Sequence, residues 1–403
     1  MRKIILLLTF LLLCGCTPAP PQNNPQPTAE SQQTELRGVW IPYFELDFED
    51  KTESGFKNSI NDMFSNIKSM GMNTVFVHIR ANSDAFYNSK YFPYSKQASG
   101  TQGIAPDYDP LKIMVSVAHK SGLQIHAWIN PFRVSNKQDM TDLSHNNPAK
   151  KWLTDNDKSN DNWVKKASGG LYYNPAIPQV QSLVINGVRE VVENYQIDGI
   201  HLDDYFYPTT NTDFDATEYA PYKDVMTVDE FRRANVNMLI SGIYRCVKAV
   251  NEKVVFGISP QANMSTNYNS LYADIEKWVQ GDGYIDYIMP QIYFGFNYPD
   301  PGKFEQSFKF DECAKYWSQL VGNSKTKLYV GLGIYKSGVI EKVGDVTSDE
   351  WVNNTDIIAR QVKFCRQINN CSGFCIYSYS NMSGNQNRVE EMQNLTDLLK
   401  ITD

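Results

Sequence analysis

Histidine and cysteine are scarce in this 403-residue sequence, which has five and seven of them. No two histidines stand at the His-x-His or His-x-x-x-His spacing that is typical of metal ligands. His78, His126 and His201 fall in strand-like segments, where hydrogen-bonding core residues are the favoured interpretation over a metal site. We therefore predict neither a metal nor another cofactor.

Basic residues are also in deficit, since 38 lysines and arginines stand against 45 acidic residues and leave a net charge of -7. An acidic surface disfavours nucleic acid and anionic lipid as primary partners. Aromatic residues, in contrast, are plentiful, with 24 Tyr, 20 Phe and 7 Trp. Aromatic rings pack in cores and also against the apolar faces of sugars, so the composition is compatible with a carbohydrate partner.

The most apolar stretch, residues 4–13, is too short to cross a bilayer and follows the basic start Met1-Arg2-Lys3. This arrangement predicts a secretory signal peptide over residues 1–15. Leu13-Cys14-Gly15-Cys16 is similar to the bacterial lipobox, which predicts a lipid on Cys16. Residues 16–34 then form a flexible tether, and the protein is held at the extracytoplasmic face of the cell membrane.

Strand-like and helix-like segments alternate over residues 35–403. The predicted strands are 37–43, 73–80, 124–131, 199–204, 254–261, 285–294, 327–335 and 373–380. The predicted helices are 55–70, 110–121, 180–195, 227–251, 271–280, 310–320, 349–368 and 388–401. Eight strand-helix pairs in strict alternation predict a (β/α)8 TIM barrel as one catalytic domain. A doubly wound sheet would show a glycine-rich turn at 41–44, where the sequence reads Ile-Pro-Tyr-Phe.

The loops that follow predicted strands are much longer than the loops that precede them. Residues 132–179 follow the third strand and residues 205–226 follow the fourth, whereas some helix-to-strand links are as short as Gly71-Met72. In a barrel the strand-to-helix loops build the C-terminal face, where active sites lie. This asymmetry predicts a functional face with extended loops.

Two adjacent carboxylates, Asp203 and Asp204, close the predicted fourth strand. Glycoside hydrolysis commonly needs a pair of carboxyl groups on either side of the scissile bond. Because side chains alternate along a strand, the two aspartates should point to opposite faces. The partner of Asp203 is then Asp84, Glu45 or Glu218, or Asp204 itself if the strand ends early. The alternative is that these acids only close the strand through loop hydrogen bonds.

Other polar and aromatic residues at predicted strand ends are candidates for substrate binding. An arginine beside Asp203, Arg80 or Arg133, would hold that carboxylate ionised, while a desolvated partner stays protonated and acts as the acid. The full set of predicted binding residues is Trp40, Arg80, Trp128, Asn130, Arg133, His201, Tyr205, Gln261, Gln291 and Tyr293. By contrast, Asp198 and Asp286 precede their strands and should be structural.

Six ordered blocks of the sequence resemble a known family. They are Glu35-Leu36-Arg37-Gly38-Val39-Trp40, Asp84-Ala85-Phe86-Tyr87 after Arg80, His126-Ala127-Trp128-Ile129-Asn130-Pro131, Gly199 to Pro208, Gly257-Ile258-Ser259-Pro260, and Asp286 to Tyr293. Together they resemble the bacterial glycosyl hydrolase-like family 10. The resemblance implies a TIM barrel that acts on glycan, often as an envelope lipoprotein, with peptidoglycan strands as the expected substrate.

The sequence is also distantly similar to the α-amylase superfamily. In that superfamily the nucleophilic aspartate stands two residues after a basic residue on the fourth strand, the spacing of His201 and Asp203 here. The superfamily's acid glutamate after the fifth strand is missing, because Ser259-Pro260-Gln261 occupies the position. The resemblance therefore leaves the general acid unassigned.

We expect a lipid-anchored, extracytoplasmic glycoside hydrolase that cleaves cell-envelope glycan, with Asp203, Asp204 and Asp84 as candidate catalytic residues. One alternative keeps the barrel without the chemistry, as a glycan-binding lipoprotein. Another is a metal-dependent deacetylase or amidase that acts on the same polymers through the histidines.

Overall fold

The structure is a computed structural model, and it describes residues 35–299 and 306–401. The predicted signal peptide, Cys16 and the tether up to residue 34 lie outside the described residues, so these assignments stay predictions. Within the part of the chain that is described, no helix combines the length and the apolar character that a bilayer crossing requires.

Within the described residues, eight parallel strands close into a barrel. Numbered β1 to β8 in chain order, they are Leu36–Ile41, Thr74–Arg80, Gln124–Ile129, Gly199–Leu202, Val255–Ile258, Tyr287–Ile288, Lys327–Gly333 and Cys371–Tyr377. Neighbours in the barrel follow the chain order, and β8 closes it by pairing with β1, with Tyr377 opposite Trp40. The (β/α)8 prediction is confirmed.

A main helix follows each strand. Numbered α1 to α8, these helices are Glu53–Ser69, Pro110–Lys120, Pro178–Asn194, Val228–Val250, Ile275–Gln280, Phe310–Val321, Ile357–Cys365 and Gln386–Ile401. Additional helices of four to seven residues lie in the strand-to-helix loops, at Lys96–Ser99, Pro148–Thr154, Ala216–Tyr219, Met264–Asn269 and Glu350–Asn353. Local sequence sets several helix starts: Thr52 and Asp109 cap α1 and α2. Thr227 and Glu230 form a capping box at α4.

The prediction of one helix over residues 349–368 is wrong, because the extended residue Asn354 separates two helices there. The carboxylate of Glu391, on α8, accepts hydrogen bonds from the backbone N–H groups of Ile357 (3.0 Å) and Ile358 (2.9 Å). These groups at the start of α7 would otherwise lack partners. The side chain of Glu391 therefore accepts the N–H groups that a preceding turn of α7 would otherwise accept.

Two apolar cores stabilise the barrel, one between strands and helices and a smaller one inside the lumen. The lumen core consists of Leu36, Trp40, Phe76, Trp128, Tyr287, Met289, Tyr329 and Cys375. Glycines make room for its rings: a Cβ on Gly257 would lie 2.3 Å from the Tyr287 ring, and one on Gly199 would lie 2.5 Å from His126. The lumen is therefore a packed floor beneath the C-terminal face.

The strand-to-helix loops carry structure of their own. The loop between β3 and α3 holds a three-stranded antiparallel sheet of Arg133–Ser135, Val164–Ala167 and Gly170–Tyr173. The loop between β7 and α7 holds a hairpin of Glu341–Val343 and Val346–Ser348. The predicted extended loops at the C-terminal face are confirmed.

One buried guanidinium group holds the loop between β4 and α4. Arg232 Nη2 lies 2.6 Å from Oδ1 of Asp215, and both side chains are fully buried. Arg232 Nε also donates to both carboxylate oxygens of Asp215, while its Nη1 donates to the hydroxyl of Tyr272 (2.9 Å). The remaining Nη2 contact is with the backbone oxygen of Asn211 (2.7 Å). This loop therefore has a fixed course just beyond β4.

The opposite face of the barrel is held by acids at the strand starts. Asp198 accepts the backbone N–H of Ile125 (2.8 Å), and Asp286 accepts that of Phe256 (2.7 Å). Each acid thus bonds to the neighbouring strand, which confirms the predicted structural role. Glu35, just ahead of β1, accepts hydrogen bonds from Nε (2.8 Å) and Nη2 (2.7 Å) of Arg366, which follows the end of α7.

Candidate active site

Strand β4 ends at Leu202, so Asp203 and Asp204 lie just beyond it. We predicted that the strand continues to residue 204 and that alternation points the two carboxylates to opposite faces. This prediction is wrong at the C-terminal end of the strand, because neither aspartate belongs to it. Asp203 leans toward β3, where its Oδ2 accepts a hydrogen bond from Trp128 Nε1 (3.1 Å). Its Oδ1 accepts the backbone N–H of Tyr205 (3.2 Å). The early strand end places both acids at the mouth of the barrel.

Asp204 leans the other way, toward the ends of β5 and β6. Its Oδ2 accepts a hydrogen bond from Nε2 of Gln261 (2.9 Å), and its Oδ1 accepts one from Nε2 of Gln291 (3.1 Å). The same Gln291 nitrogen donates to the backbone oxygen of Ser259 (2.8 Å). Two predicted binding residues therefore fix the direction of this carboxylate.

Burial raises the pKa of both carboxyl groups. Asp203 is 3% exposed, and burial followed by the charge of Asp204 raises its pKa to about 7. Burial also raises the pKa of Asp204, while the amides of Gln261 and Gln291 favour its ionised form. The prediction that an arginine holds Asp203 ionised is wrong, because burial outweighs the opposing charge of Arg133. The pair therefore keeps a proton near neutral pH.

A chain of hydrogen bonds crosses the lumen beneath the pair. Trp40 Nε1 donates to Nε2 of His201 (3.2 Å), and the hydroxyl of Ser259 lies 2.9 Å from the same nitrogen. Because an indole nitrogen only donates, Nδ1 of His201 carries the proton and donates to the hydroxyl of Tyr287 (3.0 Å). That hydroxyl also lies within hydrogen-bond distance of Nδ1 of His126 (3.1 Å). The floor of the site is thus joined by one continuous chain of hydrogen bonds.

The buried histidines are neutral parts of this floor. Burial lowers the pKa of His201 far below its usual value and that of His126 to about 4. His201 has no exposed surface, which contradicts its predicted direct contact with substrate. His78 stacks on Trp128 with ring centroids 3.9 Å apart. Across residues 35–299 and 306–401, no three side chains of His, Cys, Asp or Glu converge as metal ligands.

An aromatic recess adjoins the pair at the ends of β1, β6 and β8. The ring centroid of Tyr293 lies 6.4 Å from that of Trp40 and 5.7 Å from that of Tyr377, and Tyr335 packs edge-on at 5.8 Å. Burial raises the pKa of Tyr293, and the charge of Asp204 adds to the effect. The recess therefore lies within electrostatic reach of Asp204. Of these four rings, Trp40 and Tyr293 belong to the predicted binding residues.

Arg133 and Tyr205 form the outer part of the mouth. The guanidinium of Arg133 lies 5.0 Å from the ring centroid of Tyr205, and its Nε donates to the backbone oxygen of Ala81 (3.0 Å). The carboxamide oxygen of Asn130 accepts the backbone N–H of Arg133 (3.1 Å). Tyr205 is 48% exposed, so its ring is available to the face of a sugar. Burial raises the pKa of all three predicted catalytic aspartates, and the positive charge of Arg133 opposes that rise.

The structure places Asp84 in a neighbouring cavity of about 280 Å³, between the loops that follow β2 and β3. Its Oδ2 accepts a hydrogen bond from Gln102 (3.2 Å), and burial raises its pKa. Arg80 is buried nearby, with its guanidinium 4.3 Å from the ring centroid of Phe92. Asp84 and Arg80 therefore belong to the packing of these loops, and the geometry does not bring them into the carboxylate pair.

Glu45 and Glu218, the other two acids predicted as partners of Asp203, are hydrogen-bonded to other residues. Glu45 Oε1 accepts the hydroxyls of Ser378 (2.5 Å) and Ser380 (2.5 Å), and its Oε2 accepts the backbone N–H of Ser380 (3.0 Å). Glu218 accepts a hydrogen bond from Nδ2 of Asn174 (3.1 Å). Glu45 thus ties the loop after β1 to the loop after β8. Its serine partners stand more than 330 positions away, so no local pattern indicates them.

Comparisons with known proteins agree with this geometry. The sequence model of the family described as glycosyl hydrolase-like 10 matches residues 35–352. The chain is 35% identical over 378 residues to Glycosyl hydrolase YngK of Bacillus subtilis (strain 168), covering 87% of this chain and 69% of that protein. It is 29% identical over 439 residues to Glycosyl hydrolase DigH of Escherichia coli (strain K12), covering 97% of this chain and 96% of that protein.

A solved structure shares the fold. The glycoside hydrolase domain of PgaB (BpsB) from Bordetella bronchiseptica superposes with a TM-score of 0.59, covering 90% of this chain and 99% of that one. The two sequences are 11% identical. At this identity the likeness shows the barrel architecture alone.

Proposed function

Because the chain belongs to the glycosyl hydrolase-like 10 family, we propose that this glycoside hydrolase cleaves cell-envelope glycan, with peptidoglycan strands as its substrate. The observation that carries the proposal is the pair of Asp203 and Asp204 at the mouth of the barrel, which keeps a proton near neutral pH. A leaving glycosidic oxygen needs a proton donor, and the charge that develops on the sugar needs a carboxylate. The pair supplies both.

The two acids take different roles. Asp203 is the proton donor, since a carboxyl group with a pKa of about 7 keeps a substantial protonated fraction in neutral solution, whereas an ordinary aspartate keeps almost none. Asp204 is the carboxylate: burial raises its pKa too, but two side-chain amide N–H groups oppose that rise by hydrogen-bonding to its ionised form. Gln261 and Gln291 are positioning residues that act through Asp204.

The surroundings of the pair support a polymeric sugar substrate. Tyr205 is exposed beside Arg133, and Phe44, in the loop after β1, is 61% exposed. Exposed rings around a cleft offer flat apolar surfaces to successive sugar units. The family resemblance and the predicted export of the chain favour peptidoglycan strands among such polymers.

We also propose that a lipid on Cys16 anchors the enzyme to the extracytoplasmic face of the cell membrane. The support is the lipobox-like Leu13-Cys14-Gly15-Cys16 behind a short apolar run. Buried acyl methylenes contribute about 0.8 kcal/mol each, so several chains give stable attachment. A Cys16→Ala variant that stays in the membrane fraction would contradict the anchor.

The test of the activity uses peptide-free peptidoglycan strands and the purified protein. We expect reducing ends to appear with the wild type and to be nearly absent with Asp203→Asn and Asp204→Asn. Asp282→Asn is the matched control, because Asp282 is 88% exposed at the opposite face of the barrel. The proposal fails if the wild type releases nothing from these strands, or if both aspartate variants cleave as fast as the control.

A further inference from the structure

Two cysteines stand close to one another at the face of the barrel opposite the carboxylate pair. Cys365 is the last residue of α7, and Cys371 is the first residue of β8. Two consecutive turns connect them: the backbone N–H of Ile368 donates to the oxygen of Cys365 (3.0 Å), and the N–H of Cys371 donates to the oxygen of Ile368 (3.1 Å). The chain therefore folds back on itself between the two cysteines.

An irregularity in β8 determines the direction of the Cys371 side chain. Cys371 is paired with Leu328 of β7, but Phe374, three residues later, is paired with Val330, which is only two residues later. The extra residue in β8 is a β-bulge. Phe374 faces the helices, so regular alternation would turn Cys371 toward the lumen. With the bulge, Cys371 packs instead on the core between strands and helices, which also contains Cys365.

The two thiols interact directly. A hydrogen bond between them raises the pKa of Cys365 and lowers that of Cys371, because the Cys365 thiol donates to the Cys371 sulfur and stabilises it as a thiolate. Burial raises the pKa of the other three cysteines in the part of the chain that is described. Cys365 is 3% exposed, whereas Cys371 is partly exposed. Cys371 therefore offers the more ionised and the more accessible sulfur.

We propose that Cys365 and Cys371 form a disulfide by exchange with an oxidant that itself carries a disulfide. The Cys371 thiolate attacks one oxidant sulfur, and the other oxidant sulfur leaves as a thiolate. Cys365 then loses its proton and attacks Sγ of Cys371, which releases the first oxidant sulfur. Two protein thiols are oxidised, one oxidant disulfide is reduced, and the two protons end on the two released thiols.

The site goes beyond glycan hydrolysis. From the proposed function it takes only the export of the chain, which brings it to a compartment where disulfides persist.

The disulfide closes a short loop that is already tied to two other parts of the barrel. Arg366 directly follows Cys365, and its guanidinium binds Glu35 ahead of β1. Near the other end of the loop, the side-chain amide of Asn370 donates to two backbone oxygens at the end of α6 (2.8 and 3.1 Å). The bridge restricts this loop in the unfolded chain, so it stabilises the point at which the last strand closes the barrel.

The test maps thiols in the purified protein. Reduced protein is incubated with oxidised glutathione, alkylated with N-ethylmaleimide and digested with trypsin, which separates residues 364–366 from residues 367–388. We expect these two peptides to be cross-linked in the wild type and separate in Cys371→Ser. Cys246→Ser is the matched control, since it removes another buried cysteine, on α4, and should keep the cross-link.

The single variants test the order of attack. Cys365→Ser should retain glutathione on Cys371, at least about tenfold more than Cys371→Ser retains on Cys365, because the more ionised and accessible thiol reacts first. Oxidation should also raise the melting temperature of the wild type by roughly 2–5 °C and leave that of Cys371→Ser unchanged. Glutathione mainly on Cys365 would contradict the order of attack.

Two results overturn the proposal. One is alkylation of both Cys365 and Cys371 in the wild type after oxidation. The other is a cross-link that fragmentation of the wild-type peptide 367–388 places at Cys375, a measurement that needs no variant to fold. Failure of the same preparation to cleave glycan would remove the proposed function and leave the disulfide result unaffected.

Discussion

Two buried carboxylate sites follow one another along the loop after β4, and they are built differently. Asp215 is paired with Arg232, which donates to it from Nε and Nη2. Asp203 and Asp204 take their hydrogen bonds from an indole, a backbone amide and two glutamine amides. A cation compensates the negative charge of a buried carboxylate. Neutral donors form hydrogen bonds with the carboxylate oxygens but do not compensate its charge.

The difference teaches that burial alone does not mark a catalytic acid. The carboxylate of Asp215 is paired with a fully engaged guanidinium and holds the loop through that ion pair. A pair of carboxylates among neutral donors shares a proton that is exchanged near neutral pH. The charge of the partner therefore separates the structural acid from the reactive ones.

The largest expected effect is on the reactive side of this comparison. Asp204→Asn removes a charge but keeps the shape of the side chain, so we expect the rate of glycan cleavage to fall roughly 10³-fold. The melting temperature should stay within a few degrees of the wild type, because no ion pair is broken. Initial rates and thermal melts on the same preparation measure both. An inactive variant that also melts far below Asp282→Asn would make the pair a structural site like Asp215.

The structural side should respond in stability. Asp215→Asn leaves the Arg232 guanidinium buried without its counter-charge, so we expect a loss of roughly 3–5 kcal/mol in the free energy of unfolding. Denaturant titration measures it. The double variant Asp215→Leu/Arg232→Met should recover much of the loss, since removing both charges also removes their desolvation. Normal stability with lost activity in Asp215→Asn would reverse the assigned roles.

The pH dependence sharpens the comparison further. Asp203 has a pKa of about 7 and has to be protonated to act as the acid, so kcat/KM should fall as the pH rises through about 7. The fall should approach tenfold per pH unit above that value. A pH series of kcat/KM on soluble glycan fragments tests this, and a profile that stays flat to pH 9 would remove Asp203 from the role of donor.

The smallest effect concerns Arg133, whose charge opposes the rise that burial causes in the pKa of both acids. Arg133→Gln should raise these pKa values, so the protonated donor persists to higher pH. We expect the alkaline limb of the profile to move up by roughly half a pH unit. Arg133→Lys, which keeps the charge, should leave the limb near its original position. A downward shift in Arg133→Gln would contradict this electrostatic account.

The fold could be predicted from local pattern because the barrel repeats one arrangement. The predicted first strand, residues 37–43, lies within one or two residues of Leu36–Ile41 at each end. Period-2 and period-3.6 apolar patterns, with caps such as Thr52, specify each element without distant contacts. Where a distant residue intervenes, as Glu391 does at α7, the prediction fails.

The site was less accessible to sequence reasoning for the same reason. Asp203 and Asp204 could be found at the end of a strand, and Gln261 and Gln291 could be predicted beside them. The early end of β4 depends on hydrogen bonds from the ends of β3, β5 and β6, which no local pattern contains. Glu45 is a comparable case, because the serines that bind it belong to the last strand's loop.

The attachment of β1 has a mechanical consequence. This strand is hydrogen-bonded in parallel to β2 on one side and to β8 on the other. A force applied to Glu35 along the axis of β1 would load both rows of hydrogen bonds together in shear instead of opening them one at a time. The ion pair of Glu35 with Arg366, at 2.7 Å, would resist the same force. The start of β1 is therefore held from both sides and by an ion pair.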